Sequence, residues 1–162
     1  MARARPAKAT HAGTVKALAP GPTLVVAEVP AVYRVHPPTV ADCNLLGALL
    51  FQEPERALAE QHIVGRTLHA PDLLDYEMVS VAVKKARQGR GDIAADGIAR
   101  YLQVPIELHE VDPTEVLALA QRYQLTAYDA AYLWLAAELK APLATFDKKL
   151  GAAAQRHLGA LE

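Results

Sequence analysis

The run Leu125 to Leu150, LTAYDAAYLWLAAELKAPLATFDKKL, constrains this chain more than any other stretch. It predicts an apolar helix, a tight connection, a short strand, and an acid where the strand stops. Asp129 falls in the first turn of that helix and Asp147 at the end of the strand. A helix this apolar must be covered, and a strand that follows it needs a sheet to join.

The upstream sequence supplies that sheet. Thr39-Val40-Ala41 predicts a short strand ending at Asp42, and Asn44 to Phe51 an apolar helix. Glu53-Pro54 interrupts, and Pro54 is suited to open a second helix to about Gly65. Thr67 to Ala70 predicts a strand. Pro71-Asp72 opens a helix to about Gln88, stopped by Gly89 and Gly91, and Asp92 to Leu102 predicts another. Val104 to Val111 alternates, Ile106 and Leu108 against Glu107 and His109, as a strand does. Asp112-Pro113-Thr114-Glu115 is a helix opening with Asp as N-cap, Pro at N1 and Glu at N3; that helix runs to about Tyr123. A last helix spans about Lys148 to Leu158. Strands alternating with helices predict an α/β fold with a mostly parallel sheet. Sites in such sheets form beyond the carboxyl ends of the strands, where Asp42 and Asp147 both fall.

Each acid also has a plain structural role open to it. Asp42 and Asp147 suit N-caps of the helices that follow them. Thr126-Ala127-Tyr128-Asp129 has capping-box form, with Asp129 accepting from the Thr126 backbone. Glu77 shares its predicted face with Leu73, Leu74, Val81 and Ser80, where an unpaired carboxylate is costly. Neutralisation by Lys84 is the ordinary remedy. Four such roles at four positions that a parallel sheet would bring together is a larger coincidence than one shared site. Clustered carboxylates raise one another's pKa values, and a divalent cation relieves them. Mg²⁺ and Mn²⁺ favour oxygen ligands. A single cysteine, Cys43, rules out an intrachain disulfide and a Cys-based zinc site, and no HExxH helix is present.

With 162 residues, 52% of them hydrophobic, the chain suits one domain with a real core. A net charge of −1 offers no global basic field for nucleic acid, although a local one remains open. No apolar run approaches the ~20 residues of a membrane span, and Glu28 and Pro30 break the one apolar piece that a signal peptide would use. The expectation is a cytoplasmic protein with no membrane partner. Residues 1–22 lack acids and predict a flexible tail; residues 23–36 suggest an edge strand around Pro30. The expected division is an N-terminal extension, 1–38, and a catalytic domain, 39–162.

The segments ADCNLL at Ala41–Leu46, APDLLDYEMVSV at Ala70–Val81, and above all the Leu125–Leu150 run resemble the PIN-domain ribonucleases. The likeness is to the VapC-like toxins of type II toxin–antitoxin modules, and covers roughly Thr39 to Leu150. It implies a PIN-like α/β/α sandwich, Mg²⁺ or Mn²⁺ bound by Asp42, Glu77, Asp129 and Asp147 in that order, and endonucleolytic cleavage of RNA. It implies Asn44 as a polar residue hydrogen-bonded within the site, a homodimer, and silencing by a cognate VapB-like antitoxin. Two departures stand out. The extension has no counterpart, and Pro37-Pro38 leaves an unusually short first strand.

Lys84, Lys85, Arg87 and Lys148 are candidates for contact with RNA phosphates, against the alternatives of helix C-terminal or solvated cations. Tyr132 and Trp134 suit base stacking or, more ordinarily, the core. None of the six histidines has a partner at a convincing spacing, so His62, His69 and His109 read as structural or surface residues. Two other classes compete with a nuclease. One is a catalytically silent PIN-like binding module. The other is a haloacid-dehalogenase-like phosphatase, which needs an Asp where Asn44 stands.

Overall fold

The computed structural model describes residues 36–161. β1 (Pro38–Ala41) leads through α1 (Cys43–Leu50) and α2 (Arg56–Ile63) to β2 (Thr67–Pro71). β2 leads through α3 (Leu74–Arg87) and α4 (Gly91–Tyr101) to β3 (Ile106–His109). α5 (Pro113–Tyr123) and α6 (Ala127–Glu138) carry the chain to β4 (Leu143–Ala144), and α7 (Lys148–Leu158) follows. The strands pair in parallel in the order β3-β2-β1-β4.

That order fixes where a site can form. The first two crossovers step outward from β1 to β2 to β3. The third returns the chain to the other side of β1. The loops after β1 and β4 therefore diverge to opposite faces and leave a crevice at the carboxyl ends of those two strands, as at the switch point of any open parallel sheet. Asp42 directly follows β1, and Asp147 follows β4 after Thr145 and Phe146.

Helices cover both faces of the sheet in an α/β/α sandwich. α6 packs across β1, β2 and β4 with α5 and α7 against it, while α1 packs on α2, α3 and α4. The core joins Val40 and Ala41 of β1, Leu45 and Leu46 of α1, Phe51, Leu74 and Met78 of α3, and Leu133 and Leu135 of α6, all fully buried or nearly so. α6 also buries Ala130, Ala131 and Ala136. These small side chains let the helix lie close to the sheet, and an apolar stripe this wide belongs to a buried helix. A second close approach lies between α4 and the residue that ends α1. A Cβ on Gly97 would sit 2.3 Å from the ring of buried Phe51, so only glycine lets α4 come this near.

Several expected boundaries move. β1 takes in Pro38, whose missing N–H is harmless at the first residue of a strand. β3 is confined to Ile106–His109 rather than Val104–Val111, because its only neighbour among the described residues, β2, ends at Pro71 opposite His109. Pro54 does not open α2; turns intervene and Arg56 is its first residue. β2 runs on to Pro71, so α3 starts at Leu74. Gly89, with φ 78°, ends α3, whereas Gly91 opens α4. Asp112 caps α5 as its sequence predicts, accepting from Thr114 and Glu115 N–H with Pro113 behind it. The edge strand suggested within 23–36 lies, apart from His36, outside the described residues. Among the described residues no helix is long and apolar enough to cross a membrane.

Candidate metal centre

Asp42 is the best-fixed of the four acids. It is 3% exposed and caps α1, one carboxylate oxygen accepting from Leu45 N–H at 2.8 Å. Its other oxygen accepts from the Thr145 hydroxyl. The same hydroxyl oxygen accepts from Asp147 N–H at 2.9 Å. Thr145 therefore ties the acid after β1 to the acid after β4. Asp147 caps α7, accepting from Leu150 N–H at 2.7 Å. Both capping roles open to these acids in the sequence are filled, and each cap aims its carboxylate at the crevice end of the sheet by fixing it in the turn that leaves a strand.

Asp129 differs from its expected cap. Thr126 is the N-cap of α6: its Oγ1 accepts from Asp129 N–H at 3.1 Å and donates to an Asp129 carboxylate oxygen at 2.7 Å. The reciprocal bond thus runs through the hydroxyl rather than the Thr126 backbone. The second Asp129 oxygen makes no hydrogen bond among the described residues.

Glu77 lies at the margin of its helix's apolar stripe, not at the centre. The buried stripe of α3 runs through Leu74, Met78 and Ala82, and Ser80 is exposed, donating to Tyr76 O at 2.9 Å. Counting the face from Glu77 put its centre one residue too early. Lys84 does not neutralise Glu77. The Tyr132 hydroxyl of α6 donates to it at 2.5 Å. Tyr132 is 2% exposed, which overturns base stacking for that ring; Trp134 is half-buried against the core.

The four carboxylates share one electrostatic neighbourhood. Burial pushes the Asp42 carboxyl above its usual value, the bonds from Thr145 and Leu45 pull it down, and Asp147 and Asp129 push it up again. Burial likewise raises Glu77, Tyr132 lowers it, and Asp42 and Asp129 raise it. Among the described residues, no lysine or arginine forms an ion pair with any of the four. The donor set is all oxygen, no cation among the described residues offsets its mutual repulsion, and each of the four acids is held by hydrogen bonds. Those are the requirements of a hard divalent cation that keeps part of its water shell. The residues present fit Mg²⁺ or Mn²⁺.

Cys43 stands between Asp42 and Asn44 without joining this chemistry. Burial, then Glu77 and Asp42, push its thiol up to about 12, and its Sγ lies 3.9 Å from Met78 Sδ. Asn44 is exposed and makes no side-chain hydrogen bond among the described residues. With Asp147, Glu53, Glu55 and Phe146 it lines an open cleft of about 580 Å³. Of the candidate cations, Lys85 is engaged by Glu53 beside that cleft. Lys84 and Arg87 line a separate groove with Val79 and Val83, and Lys148 is exposed at the start of α7.

Two residues that hold the acids, Thr145 and Tyr132, do not show that role in the sequence, which offers Tyr132 only for base stacking or the core. Thr145-Phe146-Asp147 has the spacing at which a threonine hydroxyl meets the N–H two residues on. Tyr132 follows Asp129 at i+3 on one helix face. The histidines need a correction. His69 Nδ1 lies 3.0 Å from His109 Nε2, so these two do have partners. The pair is separated by 40 positions in the chain and is made by the register of two parallel strands, which no local spacing reveals.

The fold defines a parallel-sheet α/β/α protein with acids gathered at its switch point. The chain belongs to the PIN domain family, which matches residues 39–155. It is 33% identical over 118 residues to Ribonuclease VapC3 of Pyrobaculum aerophilum, covering 68% of this chain and 90% of that relative. It is 31% identical over 123 residues to Ribonuclease VapC12 of Mycobacterium tuberculosis, covering 73% of this chain and 91% of the relative. The crystal structure of PAE2754 from Pyrobaculum aerophilum superposes with a TM-score of 0.58 at 26% identity, covering 77% of this chain and 95% of that one.

Proposed function

We propose that this chain is a Mg²⁺- or Mn²⁺-dependent endoribonuclease, with Asp42, Glu77, Asp129 and Asp147 holding the ion directly or through water. The observation that carries the reading is the convergence of four acids, two of them with raised pKa values, on a crevice where no lysine or arginine among the described residues pairs with them. A cation bound there supplies Lewis-acid stabilisation of a phosphodiester and lowers the pKa of an attacking water. The chain's own residues do the positioning. Thr145 and Leu45 N–H hold Asp42, Tyr132 holds Glu77, and Thr126 holds Asp129 so that one oxygen faces outward. Asn44, on the cleft beside Asp147, would steady the site. Lys84, Arg87 and Lys148 would serve as surface cations for the RNA backbone; Lys85 would have to leave Glu53 to join them.

The names of the relatives support the further reading that this is the toxin of a toxin–antitoxin pair, silenced by a VapB-like antitoxin; a homodimer working in the cytoplasm is the form proposed for it. A small DNA-binding protein encoded in the adjacent reading frame is the expected companion.

Cleavage of a labelled structured RNA in Mn²⁺ tests the chemistry. Asn at Asp42 keeps the capping oxygen, so Asp42→Asn removes charge with little cost to folding. The variant Asp42→Asn/Asp129→Asn should cleave at least about a hundredfold more slowly, the scale of a few kcal/mol of lost transition-state stabilisation. Undiminished cleavage by a folded double variant sinks the mechanism.

A further inference from the structure

At the other half of the sheet, three side chains converge that the acid crevice does not use. His69 of β2 is the register partner of Glu107 of β3, and His109 lies two residues beyond Glu107 on the same strand. Alternation places Glu107 and His109 on one face of β3, and parallel register places His69 on that same face. His69 is 8% exposed, His109 half-buried and Glu107 exposed, so the trio runs from the interior to solvent. One ligand atom from each lies within 4.8 Å of the other two.

Hydrogen bonding alone leaves this arrangement short of partners. His69 Nδ1 faces His109 Nε2 at 3.0 Å and Glu107 Oε2 at 3.4 Å. Two N–H groups cannot point at each other across 3.0 Å, so at most one of the two facing ring nitrogens carries a hydrogen. A proton on His69 Nδ1 can serve His109 or Glu107 well, but not both. The carboxylate at 3.4 Å lies beyond a good N–H···O bond. A cation among the three atoms satisfies every lone pair at once. The spacing suits one. Zinc bonds to nitrogen and carboxylate oxygen of about 2.0–2.2 Å imply tetrahedral ligand–ligand edges of about 3.3–3.6 Å. The two distances of 3.0 and 3.4 Å lie close to that edge before any adjustment.

We propose that His69, Glu107 and His109 form a second metal site, separate from the acid crevice, that takes one divalent transition-metal ion of the zinc class. Two imidazoles and one carboxylate are the donors that borderline ions prefer and that Mg²⁺ and Ca²⁺ do not. Three protein ligands leave one position for water on the exposed Glu107 side. The ion also cross-links β3, which among the described residues pairs only with β2, to the body of the sheet.

The test uses the full-length protein, stripped by a chelator and held in excess Mg²⁺ to occupy the acids. Zn²⁺ is titrated by calorimetry, and Co²⁺ serves as the spectroscopic probe. The expected result is one equivalent of Zn²⁺ bound and a visible Co²⁺ absorption of tetrahedral intensity. His109→Ala should weaken binding by more than about tenfold and abolish the absorption, since even changes outside the ligand shell cost that much. Glu107→Gln, at an exposed position, repeats the test where folding is least at risk, and circular dichroism verifies both variants. Asp42→Asn/Glu77→Gln should leave Zn²⁺ binding unchanged. The proposal is overturned if Zn²⁺ does not bind stoichiometrically, if both folded ligand variants bind it as wild type does, or if only the acid variant loses it.

Discussion

The acid crevice and the histidine cluster at the β3 edge use the same sheet in opposite ways. At the crevice, the proposed ligands come from loops and helix starts: Asp42 and Asp147 leave strand ends, and Glu77 and Asp129 sit in helical first turns. At the edge, His69, Glu107 and His109 all stand within strands. The crevice offers oxygen alone and depends on supports such as Thr145 and Tyr132 to hold like charges near one another. The edge mixes nitrogen with oxygen and takes its geometry directly from strand register. Chain topology gathers hard ligands at a switch point, whereas pairing between neighbouring strands gathers borderline ones. The two proposed sites share no residue, so two metals of different character would not compete for ligands.

The sharpest way to break this contrast is at Thr145. Thr145→Val keeps the shape but removes the hydroxyl that donates to Asp42 and accepts from Asp147 N–H. Cleavage and Mn²⁺ affinity should fall by about 10- to 100-fold, as for other groups that orient metal ligands. Zn²⁺ binding at the edge should not move. A matched loss at both places, followed by calorimetry with each ion, would show that the two regions are one linked system.

Tyr132→Phe should act more weakly, by about tenfold at most near neutrality. Its hydroxyl favours the ionised form of Glu77, so its loss raises the Glu77 pKa further. The acid limb of the pH–rate profile should therefore shift to higher pH in the variant. A uniform drop in rate with no shift would mark Tyr132 as a packing residue only.

The smallest effect concerns stability without metal. Asp42 and Glu77 both carry folded-state pKa values above their ordinary 3.8 and 4.5. Each binds its proton more tightly folded than unfolded. Their contribution to stability is thus fully present below those ordinary values and is lost as pH rises through the raised ones. In chelator, the thermal midpoint of Asp42→Asn/Glu77→Gln should exceed that of the wild type at neutral pH, and the gap should close on acidification. Saturating Mg²⁺ should narrow it at neutral pH by stabilising the wild type alone. A variant less stable than wild type in chelator would mean that the acids are not strained by their own proximity.

Much of the crevice was legible before any coordinates because its logic is local plus topological. An acid at the end of a predicted strand, another after the last strand, and a capping threonine before Asp129 can each be found by walking along the chain. The helix–strand alternation then says that these ends face one crevice. The errors arose where a neighbouring element decides the outcome. The length of β3 is set by where β2 stops. The partner of Glu77 comes from α6, 55 positions away. The contact between His69 and His109 depends on which residues of two parallel strands lie abreast. Hydrophobic periodicity shows which face of a strand is covered, but not its register against a neighbour. Gly97 illustrates the same limit: nothing around it in the sequence announces that Phe51 lies against it.

β4 has only two residues, paired with β1 at Val40–Leu143 and Ala41–Ala144. Its hold on β1 from that side includes the Val40 N–H on Pro142 O at 2.9 Å and the Asp42 N–H on Ala144 O at 3.2 Å. So short a ladder has few bonds to break before it opens. Asp147 and Thr145 therefore ride on a segment that can part from β1 without unfolding the rest of the sheet, at a fraction of the global free energy. Amide hydrogen exchange at Val40 and Asp42 reports on that opening. An ion held by Asp42 and Asp147, as proposed, would span the seam, so the protection of these two amides should rise with catalytic competence as metal is added.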